Sequence, residues 1–316
     1  LVKTFLKMNY GQFDFHAVFD HETRLPEFKG SMIRGALGHA LKQTVCAVRK
    51  KECAQCLLRS NCIYARVFEV KTNPDSNSRH VHLPHPYVLN FKDDQQQHFD
   101  AGGSFQITLL LFGTMIEAFP YFVYAFERMG EQGVGKKDEQ GQRNTFSLKS
   151  IRCQDQTIYS AEHPELPSIL PQRTLQWTVL EHPVQRIRLT LETPLRVKNK
   201  GAFVRELSFL ILLRTLIRRI QMLWNAFSSE TPPFEEQELL QQAHEVHIAE
   251  NSLFWKKQLR YSSRQNNLQR MDGLQGSIVF SGRLTPFIPL LQMAQVLHLG
   301  KETSFGLGKI NIQILE

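Results

Sequence analysis

One order of elements occurs twice in this chain, and it constrains the fold more than any other feature. Near the C-terminus an apolar helical pattern, Phe287 to Leu299, runs into a loop with glycines at 300, 306 and 308. A strand pattern follows, alternating Ile310, Ile312 and Ile314. Earlier, Met115 to Met129 is an apolar helical run. It is followed by Gly130-Glu-Gln-Gly-Val-Gly-Lys-Lys137, a polar loop and the strand-like Thr145–Ile151. A repeated helix–glycine loop–strand unit points to an internal duplication. Common glycine-rich connections between helices and strands are the plainer alternative.

The rest of the pattern agrees with duplication. Residues 2–9 and 12–19 read as a hairpin turning at Gly11. Ser31 is the expected N-cap of a helix to about Val48. Its stripe is Ile33, Ala36, Leu37, Ala40, Leu41, Thr44, Val45 and Val48. Pro86–Lys92 and Ser104–Phe112 read as strands before the first repeated unit. In the second half come a strand at Arg186–Leu195, an amphipathic helix at Phe203–Phe227 and a short helix at Glu235–Val246. Strands at Leu253–Tyr261 and Leu274–Gly282 follow. Leu207, Leu210, Ile211, Ile217, Ile220 and Trp224 are the inward side of the long helix. Each half therefore reads β–α–β–β–α–β. The expected class is α+β, with tandem ferredoxin-like (RRM-like) domains and a C-terminal glycine-rich loop. We place the first domain at 1–165, with a cysteine-rich insert at 46–62, and the second at 183–316, with the glycine loop at 300–308. The proline-bearing stretch 154–182 is the expected linker.

Charge narrows the function. The formal net charge is +8, and the basic residues are clustered. Arg186, Arg188, Arg196, Lys198, Lys200, Arg205, Arg214, Arg218 and Arg219 face only Glu192 and Glu206 in that segment. The stretch from Lys256 to Arg270 has Lys256, Lys257, Arg260, Arg264 and Arg270 without an acid. Clustered cations beside a glycine loop suit a nucleic-acid backbone, and a solvated basic face is the plain alternative. Glycines let N–H groups converge on an anion. Gly300, Lys301, Ser304, Gly306, Gly308 and Lys309, with Arg260 and Arg264, are accordingly the expected RNA contacts. No window holds about 18 uninterrupted apolar residues, so no membrane-spanning helix is expected. No secretory signal pattern opens the chain, and a cytoplasmic location is expected. The chain starts at Leu1, compatible with a domain cut from a longer polypeptide.

Two constellations carry chemistry. Cys46, Cys53, Cys56 and Cys62 have the spacing C-x6-C-x2-C-x5-C. Four thiols at this density fit a structural zinc site, with an iron–sulfur cluster as the weaker alternative. Cys153 stands apart and reads as core. His39 lies on the polar face of the first helix, one turn from Lys42. An imidazole can pass a proton in phosphodiester cleavage, and an ammonium can offset phosphorane charge. His16, Tyr64 and His298 are rival proton carriers. His80, His82 and His85 cluster in a proline-containing loop.

These residues resemble a known family. Gly-Lys-Glu-Thr-Ser-Phe-Gly-Leu-Gly308 resembles the glycine-rich loop of the RAMP superfamily of CRISPR-associated proteins. Thr193-Pro-Leu-Arg-Val-Lys198, the helix carrying Arg218-Arg219, Arg260-Tyr-Ser-Ser-Arg-Gln265 and Gly273-Leu-Gln-Gly276 resemble the C-terminal half of the CRISPR repeat-processing endoribonucleases. Gly30-Ser-Met-Ile-Arg-Gly-Ala-Leu-Gly-His39, the four cysteines and Tyr64-Ala-Arg-Val-Phe-Glu69 resemble a cysteine-bearing branch of the same family. The resemblance implies sequence-specific, metal-independent cleavage of CRISPR repeats in precursor RNA. The attacking group is a 2′-hydroxyl, and the products carry a 2′,3′-cyclic phosphate and a 5′-hydroxyl. It implies His39 as the catalytic histidine and no catalytic metal; Lys42, from its place on the same helix face, and Tyr64 complete the candidate catalytic set. The implied partners are precursor CRISPR RNA in a prokaryotic cytoplasm, with effector-complex subunits or a fused or associated reverse transcriptase and integrase. A non-catalytic RNA-binding subunit of an RNA-guided complex is the alternative function; a zinc-dependent nucleic-acid adaptor is a third.

Overall fold

The computed structural model describes residues 7–49, 51–70, 83–92, 95–137, 141–178, 180–228, 234–262 and 267–315. It divides into two compact units, one spanning Asn9–Arg173 and the other Thr174 onward.

In the first unit the order is β1 (Lys7–Phe19), α1 (Lys29–Val45), α2 (Ile63–Phe68), β2 (Tyr87–Phe91), β3 (Ser104–Phe112), α3 (Phe119–Gln132), β4 (Phe146–Cys153) and β5 (Gln156–Ser160). The strands lie in the order β2-β3-β1-β4-β5, and each neighbouring pair is antiparallel. The first four reproduce the ferredoxin-like arrangement that the doubled pattern predicts. Strand β1 alternates strictly. Phe13, Phe15, Ala17 and Phe19 are buried, while Gln12, Asp14, His16 and Val18 lie half-exposed on the other face. The buried face meets α3, where Phe13 stacks on Phe119 at 3.8 Å and Phe15 on Phe126 at 4.4 Å between ring centroids. Each such phenylalanine contributes roughly 1.5–3 kcal/mol by leaving water.

Three local expectations are corrected here. Where a hairpin is expected to turn at Gly11, Lys7–Phe19 is one continuous strand; residues 2–6 of the expected first arm lie outside the described residues. Gly11 faces inward, where a Cβ would overlap the ring of Phe13, so the glycine leaves room for an aromatic ring instead of making a turn. Helix α1 begins at Lys29, two residues before Ser31, with Phe28 at its N-cap and no side-chain cap, and it ends at Val45. Its stripe holds: Ile33, Leu37, Ala40 and Leu41 are buried, and Ala36, Thr44 and Val45 are half-buried. The stretch read as a linker contains strands at Gln156–Ser160 and Arg173–Gln176. Gln154 and Asp155, at φ 50° and 64°, make the two-residue turn that returns β5 onto β4. Positive φ at both central positions gives the twist that suits a hairpin, here without the usual glycine.

The second unit runs β6 (Arg186–Leu195), α4 (Phe209–Phe227), α5 (Glu236–Gln242), β7 (His247–Asn251), β8 (Phe254–Lys256), β9 (Leu259–Ser262), β10 (Asn267–Arg270), β11 (Gly273–Ser281), α6 (Ile288–Leu297) and β12 (Ile310–Ile314). The main sheet is ordered β7-β11-β6-β12, with β8 also on β11, and β9–β10 form a separate hairpin. This is the same arrangement as in the first unit, so the fold is a tandem ferredoxin-like one. Helix α4 starts later than the sequence predicts. The hydroxyl of Ser208 accepts from the N–H of Ile211 at 3.3 Å and caps it. Its buried side is Leu212, Leu213, Leu216, Ile217, Ile220, Leu223 and Trp224. Leu210 and Ile211, expected inward, are half-buried. Among the described residues no helix is long and apolar enough to cross a membrane.

Candidate functional site

The first-unit site is built on the polar side of α1. Helix α2 packs on this helix where Gly38 leaves room: a Cβ there would stand 3.0 Å from the Phe68 ring. That close approach brings Tyr64, stacked on Phe68 at 5.5 Å, next to Lys42, whose ammonium lies 5.4 Å from the Tyr64 ring centre. The fold therefore joins Lys42 and Tyr64, which sequence spacing alone could not. His39 is exposed one turn away. His39, Lys42, Gln43, Cys46 and Arg49 line an open cleft of about 500 Å³, whose far wall is Arg128, Glu131 and Gln132 from the end of α3. Gln132 donates to Gln43 across it. Three basic side chains, Lys42, Arg49 and Arg128, stand against one carboxylate, Glu131, and this excess suits a phosphodiester. The sequence reading missed Arg49 and Arg128. The polar side of the α3 pattern carried the only signal for Arg128.

The rivals of His39 fall in different surroundings. His298 is 2% exposed, with Nδ1 at 3.2 Å from the carbonyl of Leu307. Burial pushes its pKa down to about 3, so it is a neutral buried histidine and not a solvent-facing proton carrier. His16 lies mid-strand on the open sheet face. Burial there lowers its pKa, opposed by Asp14 and aided by Arg152 and Lys92. His85 holds the carbonyl of Val67 through Nδ1 at 2.9 Å and meets Arg34 at 3.3 Å through Nε2. His80 and His82 lie outside the described residues.

Cys46, Cys53, Cys56 and Cys62 are all half-buried and none is in a disulfide. Burial raises the Cys53 thiol, with Lys42 acting the other way and Glu69, Cys62 and Cys46 adding to the rise. Among the described residues, though, no group of three or more His, Cys, Asp or Glu is gathered as a metal-ligand set. The donors fit zinc in kind. Cys153 is core, with its Sγ 3.5 Å from the carbonyl of Pro171.

In the second unit the glycine loop is part of the core. Thr303 to Gly308 are buried and Lys301 is exposed. The N–H groups of Lys301, Phe305, Gly306 and Gly308 bond the carbonyls of Arg196, Glu302, Thr303 and Pro194 at 2.8–3.1 Å. That of Lys309 bonds the Thr193 hydroxyl at 2.9 Å. These donors close the fold, in place of the anion cradle expected of them. Gly300 and Gly308, at φ 78° and 71°, have no room for a Cβ against the backbones of Arg196 and Leu299. Ser304 is buried, and Lys309 pairs with Glu192 at 2.7 Å. Arg260 lies over the ring of Phe305 at 4.7 Å and donates to Gln269. Arg264 lies outside the described residues. Much of the counted basic cluster is also engaged internally. Arg186 and Arg188 meet Glu250 at 2.6 and 3.7 Å, and Arg219 donates to the carbonyl of Leu297 at 3.0 Å.

Comparison with known proteins agrees with this architecture. A family model described as CRISPR-associated endoribonuclease Cas6 matches residues 189–310. An N-terminal domain model, AF_1859_N, matches residues 6–171. Among solved structures, a partial Cas6-RT-Cas1–Cas2 complex is similar with TM-score 0.59 at 13% identity, over 98% of this chain and 46% of that one. A Cas6 product complex gives 0.56 at 12%, over 96% of this chain and all of that one. Thermus thermophilus Cas6 gives 0.55 at 10%, over 98% and 100%. At these identities the likeness speaks for the fold. The chain spans less than half the length of the Cas6-RT-Cas1 polypeptide. No curated protein matches it. Both halves of the chain are thus matched in order and both fold as ferredoxin-like units: an AF_1859_N-type N-terminal domain precedes a segment, residues 189–310, that matches the CRISPR-associated endoribonuclease Cas6 model.

Proposed function

We propose that this protein cuts CRISPR repeats in precursor RNA, with the reacting phosphate seated in the cleft between α1 and α3. The observation that carries this reading is the convergence on one open cleft of a histidine, His39, with Lys42, Arg49 and Arg128. In the reaction the 2′-oxygen attacks the adjacent phosphorus and the bond to the next 5′-oxygen breaks. The 2′-hydroxyl loses its proton and the leaving oxygen gains one. His39 transfers a proton in this exchange. Lys42, held beside Tyr64, offsets the charge that grows on the phosphoryl oxygens. Arg49 and Arg128 hold the flanking backbone. Water exchanges the second proton, and Lys42, Arg49 and Arg128 supply the positive charge at the phosphate, so the proposed chemistry places no metal ion in the reacting shell.

RNA contacts of the second unit come from side chains at its surface, Lys301 and Arg260 among those expected. The likeness to a Cas6-RT-Cas1–Cas2 complex supports a setting in which this chain works beside a reverse transcriptase and an integrase. End-group analysis tests the reaction. After incubation of a CRISPR repeat RNA in EDTA, the upstream product should carry a 2′,3′-cyclic phosphate and the downstream product a 5′-hydroxyl. A 3′-hydroxyl paired with a 5′-phosphate would refute the mechanism.

A further inference from the structure

A small exposed hairpin stands beside the glycine loop, on residues that neither the catalytic reading nor the glycine motif uses. Strand β6 ends at Leu195 and the chain then makes a small hairpin. Lys198 pairs with Phe203 and Asn199 with Ala202. The turn residues Lys200 and Gly201 have φ 47° and 86°. Positive φ at both central positions is the tight two-residue turn that suits a hairpin, and it projects Lys200 from the tip. Every residue from Lys198 to Phe203 is exposed.

The base of this hairpin is fixed. The N–H of Val204 donates to the carbonyl of Val197 at 2.9 Å. Lys301 and Gly308 of the glycine loop donate to the carbonyls of Arg196 and Pro194 at 2.8 and 3.1 Å. The glycine loop thus seats this segment.

Those side chains form an aromatic–cation platform. Phe203 is 36% exposed. The Arg196 guanidinium lies 4.4 Å from its ring centre and the Lys198 ammonium 5.0 Å. Arg196 is itself buried and donates to the carbonyl of Asp272 at 2.7 Å. It is therefore a fixed neighbour of the ring, whereas Lys198 is exposed. Lys198 and Phe203, directly opposite in the hairpin, project to one side. The acids that reach Arg196 are Glu302 and Asp272, and Asp272 is engaged by Arg270 at 2.9 Å. A six-residue hairpin has no core of its own to bury an aromatic ring. Ring face, flexible ammonium and projecting lysine together match a nucleotide strand, whose bases stack on aromatic faces while lysines track its phosphates.

We propose that the Lys198–Phe203 hairpin is an RNA-contact element. A base stacks on Phe203 in place of the Lys198 ammonium, which moves with Lys200 onto neighbouring phosphates. This rests on the proposed function only in taking a CRISPR repeat RNA as the ligand.

The test uses the full chain and a repeat RNA made uncleavable by a 2′-deoxy sugar at the scissile position, with affinity measured across KCl concentrations. The K198Q/K200N variant removes both charges, and Asn tolerates the positive φ of position 200. Each lost phosphate contact flattens the salt dependence by about 0.7 for single-stranded RNA, so the double variant should lose about 1.4 in slope. Carried down from 1 M to about 0.15 M salt, that slope corresponds to roughly 10-fold weaker binding. F203A should weaken binding with the slope unchanged, and F203W should restore it. Wild-type affinity and slope in both K198Q/K200N and F203A would overturn the inference and leave the cleavage reading standing. A wild-type chain that binds no repeat RNA at all would overturn the reading beneath it.

Discussion

Replacing Gly308 by alanine tests what the glycine loop is for. At φ 71° this position is in the left-handed region, which costs a residue with a Cβ about 1–2 kcal/mol. The added Cβ would overlap the carbonyl oxygen of Leu299 and lie 2.8 Å from its carbon and 3.0 Å from its nitrogen. The backbones must separate, which threatens the 2.8 Å bond from the N–H of Leu299 to the carbonyl of Gly308 and the 3.1 Å bond from Gly308 to Pro194. At about 1 kcal/mol each, these losses bring the total to about 3–4 kcal/mol, a large share of a typical stability of about 5–15 kcal/mol. For a unit of this size that is a fall in Tm of about 10 °C. Trp177, Trp224 and Trp255, the three tryptophans of the chain, all lie in the second unit. Tryptophan fluorescence during heating therefore reports on the unit that carries the substitution. The comparison is G35A, on the exposed face of α1, where nothing lies within 4 Å of the new Cβ. That change should stabilise the first unit slightly, by about 0.5–1 kcal/mol, as seen by circular dichroism. A G308A protein with unchanged Tm and weakened RNA binding would refute the reasoning, since it would return the glycine to the RNA interface.

Other consequences are as direct. His298 has its pKa lowered to about 3 by burial, so the unfolded chain binds its proton more readily. Stability from this group is complete above about pH 6.5. It should fall by about 1.4 kcal/mol per pH unit as the pH drops from there toward 3, and urea titrations of H298N should show this slope reduced by about one proton. We further propose that the four cysteines of the 46–62 insert draw together around one structural zinc ion. Elemental analysis of protein purified without chelator should find about one zinc per chain, lost in C53S/C56S, and a metal-free protein would withdraw the proposal.

The sequence showed the topology because both hydrophobic periods are clean. The alternation in β1 and the three-four spacing in α1 report which faces are buried, and burial decides the layers. Glycines misled where their reason was a close packing neighbour and not a turn or an anion. Gly11 looked like a turn and leaves space for Phe13. Gly306 and Gly308 looked like an anion cradle and close on the protein's own backbone. Gly38 drew no notice, yet it seats α2 and so brings Tyr64 to Lys42. The candidate site was half legible for the same reason. His39 and Lys42 share one helix and one face, and local spacing finds them. Arg128 comes from a helix some ninety residues on, and only the packing of α3 against α1 brings it to the cleft.

The central claim is that His39 moves a proton in metal-free cleavage of repeat RNA. Its most direct test is the single-turnover cleavage rate of wild type and H39A in EDTA, with RNA affinity measured alongside. The wild-type chain should cut, and H39A should be about 10²–10⁴-fold slower with near wild-type affinity, because the loss falls on the transition state. An H39A protein that cleaves at the wild-type rate would contradict the assignment of this cleft as the active site.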